Sequence, residues 1–304
     1  MATRNFLERA LTGENQWWKY LLIILAGFVG GAAIGLLPAL IISLLRQIHN
    51  LYNYSSNFLL GMTIPAMLIA LILTVIFIRA FHDRTFPEII NGTKSVRWNR
   101  TYFAFAVGFT LMVIWGTIDH FWHCDNCIFQ PRWGKLTVLL VLSVVYAAME
   151  GTTIELLIHG YIAQGIGAGT HSRWWALIIP AIIWGLWDIT YSGFGEPGFW
   201  LLTGQSLFLG LLLGLIAILD DGIELSIGLF TADELFSHFF RAPSEELMDS
   251  IFAGKTTDPF WELISTVIIG LIAFIIFYKK YRWNFRIMNE RVGKPSSASP
   301  SLQD

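Results

Sequence analysis

The sequence predicts an all-α fold, a polytopic transmembrane bundle of about eight helices. Of its 304 residues, 55% are hydrophobic and only 14% are charged, whereas soluble proteins average about 25% charged residues. Windows of about 20 apolar residues, the length that crosses a bilayer as a helix, recur about eight times. Tryptophans flank many of these windows, as in an interfacial aromatic belt. The chain is therefore predicted to be a multi-pass integral membrane protein.

The predicted spans lie near residues 18–45, 57–79, 101–119, 137–166, 173–192, 200–219, 222–240 and 260–278. The first apolar run, Tyr20 to Leu45, far exceeds the roughly 7 to 15 residues of a signal-peptide core, so we expect it to remain in the membrane. Loop lysines and arginines favour the cytoplasmic side. They are concentrated in the two end segments and in the loop after the second span. Both termini are therefore predicted to be cytoplasmic.

Three parts of the chain are distinguished by these spans. Residues 1–136 hold the first three helices, 137–240 form a core of helices four to seven, and 241–304 contain an extramembrane loop, the eighth helix and a basic, Ser-rich tail predicted to be disordered. The basic residues do not line one polar face, so nucleic acid is not an expected partner. The lipid bilayer is the expected surrounding.

A short segment, HFWHCDNC, contains four potential metal ligands: His120, His123, Cys124 and Cys127. A structural zinc site usually draws its ligands from two separated knuckles. A disulfide between Cys124 and Cys127, or two unpaired thiols, is therefore favoured over a metal site, and we assign no function to this segment.

The fourth span carries ionisable residues where hydrocarbon should surround it, namely Glu150, Glu155 and His159. Such residues are costly in a membrane, so they usually face the bundle interior and mark a working site. Glu155 and His159 are four residues apart and share a helix face, whereas Glu150 points well around the helix. The pair is interpreted either as a hydrogen bond within the bundle or as part of a catalytic or binding site, and Glu150 is predicted to belong to another contact.

Two further spans carry carboxylates, Asp188 in the fifth and Glu234 in the seventh. At about 1.5 Å per residue, Glu155, Asp188 and Glu234 lie roughly 16, 22 and 18 Å from the same membrane face. These depths predict that the three carboxylates share one pocket near the middle of the membrane.

The segment IELLIHGYIAQGIG resembles a signature of the CAAX protease and bacteriocin-processing family of intramembrane proteases. The first motif of that family is Glu-Glu, three residues, then Arg, usually followed by Gly-Tyr. The matching positions here are Ile154, Glu155 and His159, followed by Gly160 and Tyr161.

Two further motifs of the family have matching positions. An aromatic residue, three residues, then His corresponds to Trp184 and Asp188, and His, three residues, then Asn or Asp corresponds to Phe230 and Glu234. The preceding stretch DDGIELSIGL is the most specific part of the resemblance, which covers about residues 133–240. The resemblance implies the same helical fold and residence in a bacterial cytoplasmic membrane.

The departures from the motifs bear on activity. In the family, the leading Glu and the first His activate water, while the second His and Asn stabilise the oxyanion. Here those positions hold Ile154, Asp188, Phe230 and Glu234, and Glu155 is the acidic residue of the first motif that remains. Phe230 can neither take a proton nor donate to an oxyanion, and an ionised Glu234 would repel one. We therefore expect the proteolytic mechanism to be lost.

Three hypotheses follow from this reading. The first is a catalytically inactive family member that binds a membrane or envelope protein, or a peptide. The second is an endopeptidase or metallopeptidase in which Glu155, His159, Asp188 and Glu234 form a reassigned site, a residue set that would suit a divalent transition metal. The third is a carrier or proton pathway, which the sequence disfavours because it lacks two similar halves with discontinuous helices. No cofactor is expected.

Overall fold

The computed structural model describes residues 5–11, 14–48, 56–93, 95–123, 128–129, 133–192, 198–240, 252–253 and 258–293. This part of the chain is almost entirely helical, as predicted. Its α-helices are α1 (Trp17–Leu22), α2 (Gly30–Ile48), α3 (Ser56–His82), α4 (Phe86–Ile90), α5 (Trp98–His123), α6 (Trp133–Glu155), α7 (Ala163–Thr170), α8 (Arg173–Ser192), α9 (Phe199–Leu219), α10 (Glu224–Phe240) and α11 (Pro259–Tyr281). Two-residue strands, β1 (Ile128–Phe129) and β2 (Phe252–Ala253), pair antiparallel.

Six helical stretches of the described chain are long and apolar enough to cross a membrane. They are Trp17–Leu45, Leu60–His82, Trp98–Asp119, Trp133–Thr170, Phe199–Leu219 and Pro259–Tyr281. Large apolar side chains point outward along them, for example Leu37 at 51% and Leu40 at 56% exposure on α2. A water-soluble monomer rarely exposes such continuous apolar surface. The protein is therefore an integral membrane protein.

The other two predicted spans are also helices, α8 and α10. The described apolar part of α8, Arg173–Leu186, is shorter than a full span, and α10 has only 17 residues. The number of eight crossings therefore remains a prediction.

The signature segment lies in the middle of one continuous helical rod. Helix α6 ends at Glu155, a π-helical segment follows over Leu156–Ile162, and α7 continues to Thr170. π-Helical turns inside α-helices are uncommon and often occur at functional sites. The rod therefore places Glu155 at the α-to-π transition and His159 inside the π-helical turn.

The core of the bundle is formed where this rod meets α8, α9 and α10. Helix α10 packs against α5, α6 and α9, and α8 packs along α9. Buried apolar residues from these helices form one cluster that includes Ile154, Trp184, Leu213 and Phe230. The elements that carry the three family motifs are thus brought into contact.

Ion pairs join the elements at one end of the bundle. The guanidinium of Arg97, just before α5, bonds the fully buried carboxylate of Glu224 with Nη2–Oε2 and Nε–Oε1 distances of 2.6 and 3.0 Å. The amide of Phe6 donates to the Asp221 carboxylate at 2.6 Å. These contacts tie the segment before α1, the loop before α5 and the α9–α10 turn into one layer.

Candidate functional site

The centre of the signature segment is an intrahelical pair. His159 Nδ1 lies 3.0 Å from both carboxylate oxygens of Glu155. The two residues are one helical turn apart, so their side chains reach each other on the same face, as the sequence spacing predicted. Glu155 is 0% exposed and His159 is 1% exposed, so the pair is closed off from the surface.

The second imidazole nitrogen of His159 reaches across to α9. Nε2 lies 2.9 Å from the carbonyl oxygen of Gly210. A carbonyl oxygen only accepts hydrogen bonds, so Nε2 carries the proton in this contact. Both ring nitrogens are therefore engaged, one with the carboxyl group of Glu155 and one with the backbone of α9.

Glycines allow α9 to approach the pair this closely. A Cβ placed on Gly210 would lie 3.1 Å from both the Cα of Ala181 and the Cβ of Trp184. A Cβ on Gly214 would lie 3.1 Å from the His159 ring. The small residues thus bring α9 into direct contact with α8 and the signature helix.

Aromatic and apolar side chains cover the remaining side of the pair. The rings of His159 and Trp184 are stacked with centroids 6.0 Å apart, and Phe230 meets the edge of Trp184 at 4.9 Å. Ile154, Trp184 and Phe230 are all buried. The positions of the leading Glu and of the second His in the family motifs are therefore filled by packed hydrocarbon, from Ile154 and Phe230.

Glu234 does not join Glu155 and His159, contrary to the shared pocket predicted from the sequence. It forms a group with Glu150 and His238, in which the ligand atoms all lie within 4.8 Å of one another. Among the described side chains, Glu155 and His159 belong to no group of three His, Cys, Asp or Glu residues at such distances.

The register of two antiparallel helices explains this separation. Gly151 of α6 faces Thr231 of α10. Glu150, directly before Gly151, lies near Glu234, which is about one turn after Thr231. Glu234 lies one turn beyond Phe230, and Glu150 lies more than a turn before Glu155, so both leave the level of the His159 pair. One turn is about 5.4 Å, and an error of three residues in a helix boundary shifts a depth counted along the sequence by about 4 to 5 Å.

Three predicted features lie partly or wholly outside the described residues, and one of them is the Ser-rich tail from residue 294 onward. The backbone of Asp188 is part of α8, but its side chain is not described. Cys124 and Cys127 fall in the gap between α5 and β1.

Sequence reasoning predicted a separate contact for Glu150 but not its partners. The signal for His238 was present, since Glu234 and His238 are four residues apart and therefore share a helix face. The role of the Gly210 carbonyl had no signal, because a backbone acceptor is invisible in a side-chain pattern.

Comparison with known families agrees with the motif resemblance. Residues 133–236 match the family model described as Type II CAAX prenyl endopeptidase Rce1-like. The matched stretch begins at α6 and ends inside α10, so it contains the whole His159 network. Neither a curated protein nor a solved structure matches the chain.

Proposed function

We propose that this membrane protein of the CAAX protease-like family is a pseudoprotease, which serves as a scaffold or binding partner for another membrane or envelope protein. The observation that carries the proposal is the engagement of His159 at both ring nitrogens inside a sealed network. The family match supplies the fold, and the network supplies a structural use for the signature residues that remain.

Water activation is the first requirement, and the described side chains do not meet it. A general base must reach the proton that it removes, at about 2.6 to 3.2 Å or through one water. Ile154 replaces the leading Glu, and the carboxyl group of Glu155 is turned to His159 in a fully buried position. The remaining acid therefore stabilises the bundle instead of facing a substrate.

Oxyanion stabilisation is the second requirement. Donors must point at the place where negative charge develops. The packed ring of Phe230 occupies the position of the second His, and Glu234 one turn away is directed to His238. Neither residue supplies a donor to a peptide carbonyl at that position.

A bacterial cytoplasmic membrane, with both termini on the cytoplasmic side, is the location that we propose. The segments Phe6–Leu11 and Phe285–Asn289 are joined through neighbouring contacts at one end of the bundle, including Gly293 N to Glu8 Oε1 at 3.4 Å. Arg9, Arg97 and Arg173 lie in the same layer. Basic residues favour the cytoplasmic face, which supports this orientation.

A peptidase assay on reconstituted protein tests the loss of activity. Prenylated peptides ending in a CAAX sequence and a quenched peptide library are incubated with the wild-type protein and with Glu155→Gln. We expect no cleavage above empty liposomes for either protein. Cleavage by the wild type that disappears in a folded Glu155→Gln variant would instead establish the reassigned endopeptidase.

Cross-linking in native membranes tests the scaffold role. We expect one dominant membrane or envelope protein to be recovered in similar yield with the wild type and with Glu155→Gln. The cross-linker should label neighbouring lipids and abundant membrane proteins, which shows that the reaction worked. If no specific partner is recovered under those conditions, the scaffold role is contradicted.

A further inference from the structure

A second polar cluster lies between α6 and α10, apart from the His159 network. It contains Glu150 from α6, with Glu234 and His238 from α10. His238 Nε2 lies 3.3 Å from Glu234 Oε2, and the side chains of these two residues are 35% and 21% exposed. The cluster is thus only partly enclosed by protein.

Close helix packing fixes the cluster. A Cβ on Gly151 would clash with the hydroxyl oxygen of Thr231, so α6 and α10 touch beside Glu150. Glu234 and His238 are four residues apart on α10 and project from one face. The three side chains therefore converge from two rigid helices, an arrangement that holds ligands more accurately than a loop does.

The charges of the cluster favour a cation between the side chains. Glu234 and His238 act on the charge of Glu150, and the carboxyl group of Glu234 also hydrogen-bonds that of Glu150. Glu150 Oε2 is buried and makes no hydrogen bond. Two adjacent carboxyl groups with a free buried oxygen are costly in a medium of low dielectric unless a proton or a cation lies between them.

We propose that Glu150, Glu234 and His238 bind a divalent transition-metal ion. One imidazole nitrogen and two carboxylate oxygens are a ligand set that suits such ions, with zinc as the natural probe. Ligands at about 2.1 Å around a tetrahedral zinc ion lie about 3.4 Å apart. The ligand atoms here lie within 4.8 Å of one another, so small side-chain rotations complete the site.

Tyr146 lies one turn before Glu150 on α6 and contacts two of the ligands. Its ring meets that of His238 edge-on, with centroids 4.8 Å apart, and its hydroxyl group bonds the carboxyl group of Glu150. Contacts of this kind orient metal ligands and tune their affinity. A metal bound here joins α6 to α10 and is independent of the proposed function, because none of its ligands belongs to the His159 network.

The experiment measures zinc bound per chain. Protein without a polyhistidine tag is prepared in a Cys124→Ser, Cys127→Ser background, which weakens binding by the HFWHCDNC segment. After equilibration with zinc and desalting, metal content and affinity are determined. We expect about one zinc per chain, with at least tenfold weaker binding in Glu150→Gln and in His238→Gln. We also expect the melting temperature to rise on zinc addition.

Glu155→Gln and Glu262→Gln serve as matched controls that keep their zinc. Retention of zinc by both Glu150→Gln and His238→Gln would overturn the proposal. So would loss of zinc in Glu155→Gln, which would place the ion at the signature network instead. Absence of zinc binding by the parent protein would also overturn the proposal. If Glu150→Gln fails to fold, Glu234→Gln provides the same test.

Discussion

His159 donates a hydrogen bond from Nε2 to the carbonyl oxygen of Gly210, which lies 2.9 Å away on a neighbouring helix. The residue that stands at the Arg position of the family motif thereby bridges the signature helix and α9. Glu155 holds the other side of the imidazole at 3.0 Å. These two buried contacts give the pair a structural role.

Breaking this bridge should be costly. His159→Leu leaves the fully buried Glu155 carboxyl group and the Gly210 carbonyl without their partner, so we expect a loss of about 3 to 5 kcal/mol. The double variant Glu155→Leu, His159→Leu should lose less than this single variant, because it removes both partners of the buried pair and leaves neither without the other. Unfolding of the purified proteins in mixed micelles measures both. A double variant that loses as much stability as Glu155→Leu and His159→Leu lose when measured singly and added together would contradict the pairing.

The approach of α9 gives a matched pair of glycine variants. Gly210→Ala places a methyl group 3.1 Å from the Ala181 Cα, and we expect this overpacking to cost about 1 to 3 kcal/mol. Gly204 lies on the same helix with open space around it, so Gly204→Ala should be neutral or stabilising by up to about 1 kcal/mol. Thermal unfolding in detergent compares them, and equal effects would rule out close packing as the cause.

The stability of the protein should depend on the geometry of the Arg97 guanidinium as well as on its charge. Its guanidinium makes two bonds to Glu224 and a third, of 2.9 Å, to the carbonyl oxygen of Asp220. Lysine keeps the charge but cannot form the planar fork, so Arg97→Lys is expected to cost about 1 to 3 kcal/mol. Arg286 is exposed, and Arg286→Lys should change stability by less than about 0.5 kcal/mol. Equal stability of the two variants in chemical denaturation would refute this role of the fork.

Asp221 should make stability depend on pH. Burial raises the pKa of its carboxyl group from 3.8 to about 6, against the opposing effects of the Phe6 amide and of nearby arginines. Between about pH 4 and 6 the folded protein therefore keeps a proton that the unfolded chain has lost, and stability falls as the pH rises through this range. Asp221→Asn should thus stabilise the protein by about 1 to 3 kcal/mol at pH 7.5 and not at pH 4.

The control for that variant is Asp83→Asn. Asp83 and Asp221 both have positive φ angles, 50° and 57°, which asparagine tolerates. Asp83 is exposed, so its replacement should change stability by less than about 0.5 kcal/mol. A gain of the same size at both pH values for Asp221→Asn would point to the backbone and not to the carboxyl group.

The helical class, the apolar spans and the Glu155–His159 pair could be predicted because each depends on spacing along one helix. Residues four apart on a helix meet whatever surrounds them. The assignment of Glu234 to the same pocket failed because it depended on the register between α6 and α10. That register is set by close packing at Gly151 and Thr231, which hydropathy does not encode.

The Glu150 cluster is a second case in which contacts between helices could not be predicted from the sequence. Glu234 and His238 could be paired from their spacing, but Glu150 joins them only through the antiparallel contact of two helices. Likewise, the backbone acceptor at Gly210 could not be predicted, since any residue would offer that carbonyl and only a small one brings it within reach.

The joined segments at one end of the bundle have a practical consequence. Val292 donates to the carbonyl oxygen of His171, Gly293 to Glu8, and Arg173 lies 4.0 Å from the same Glu8 carboxylate. Trimming the polypeptide back to Tyr281 would therefore strip partners from Glu8 and from the α7–α8 corner as well. Reporter fusions and affinity handles are better attached beyond Gly293 than in place of the residues that precede it.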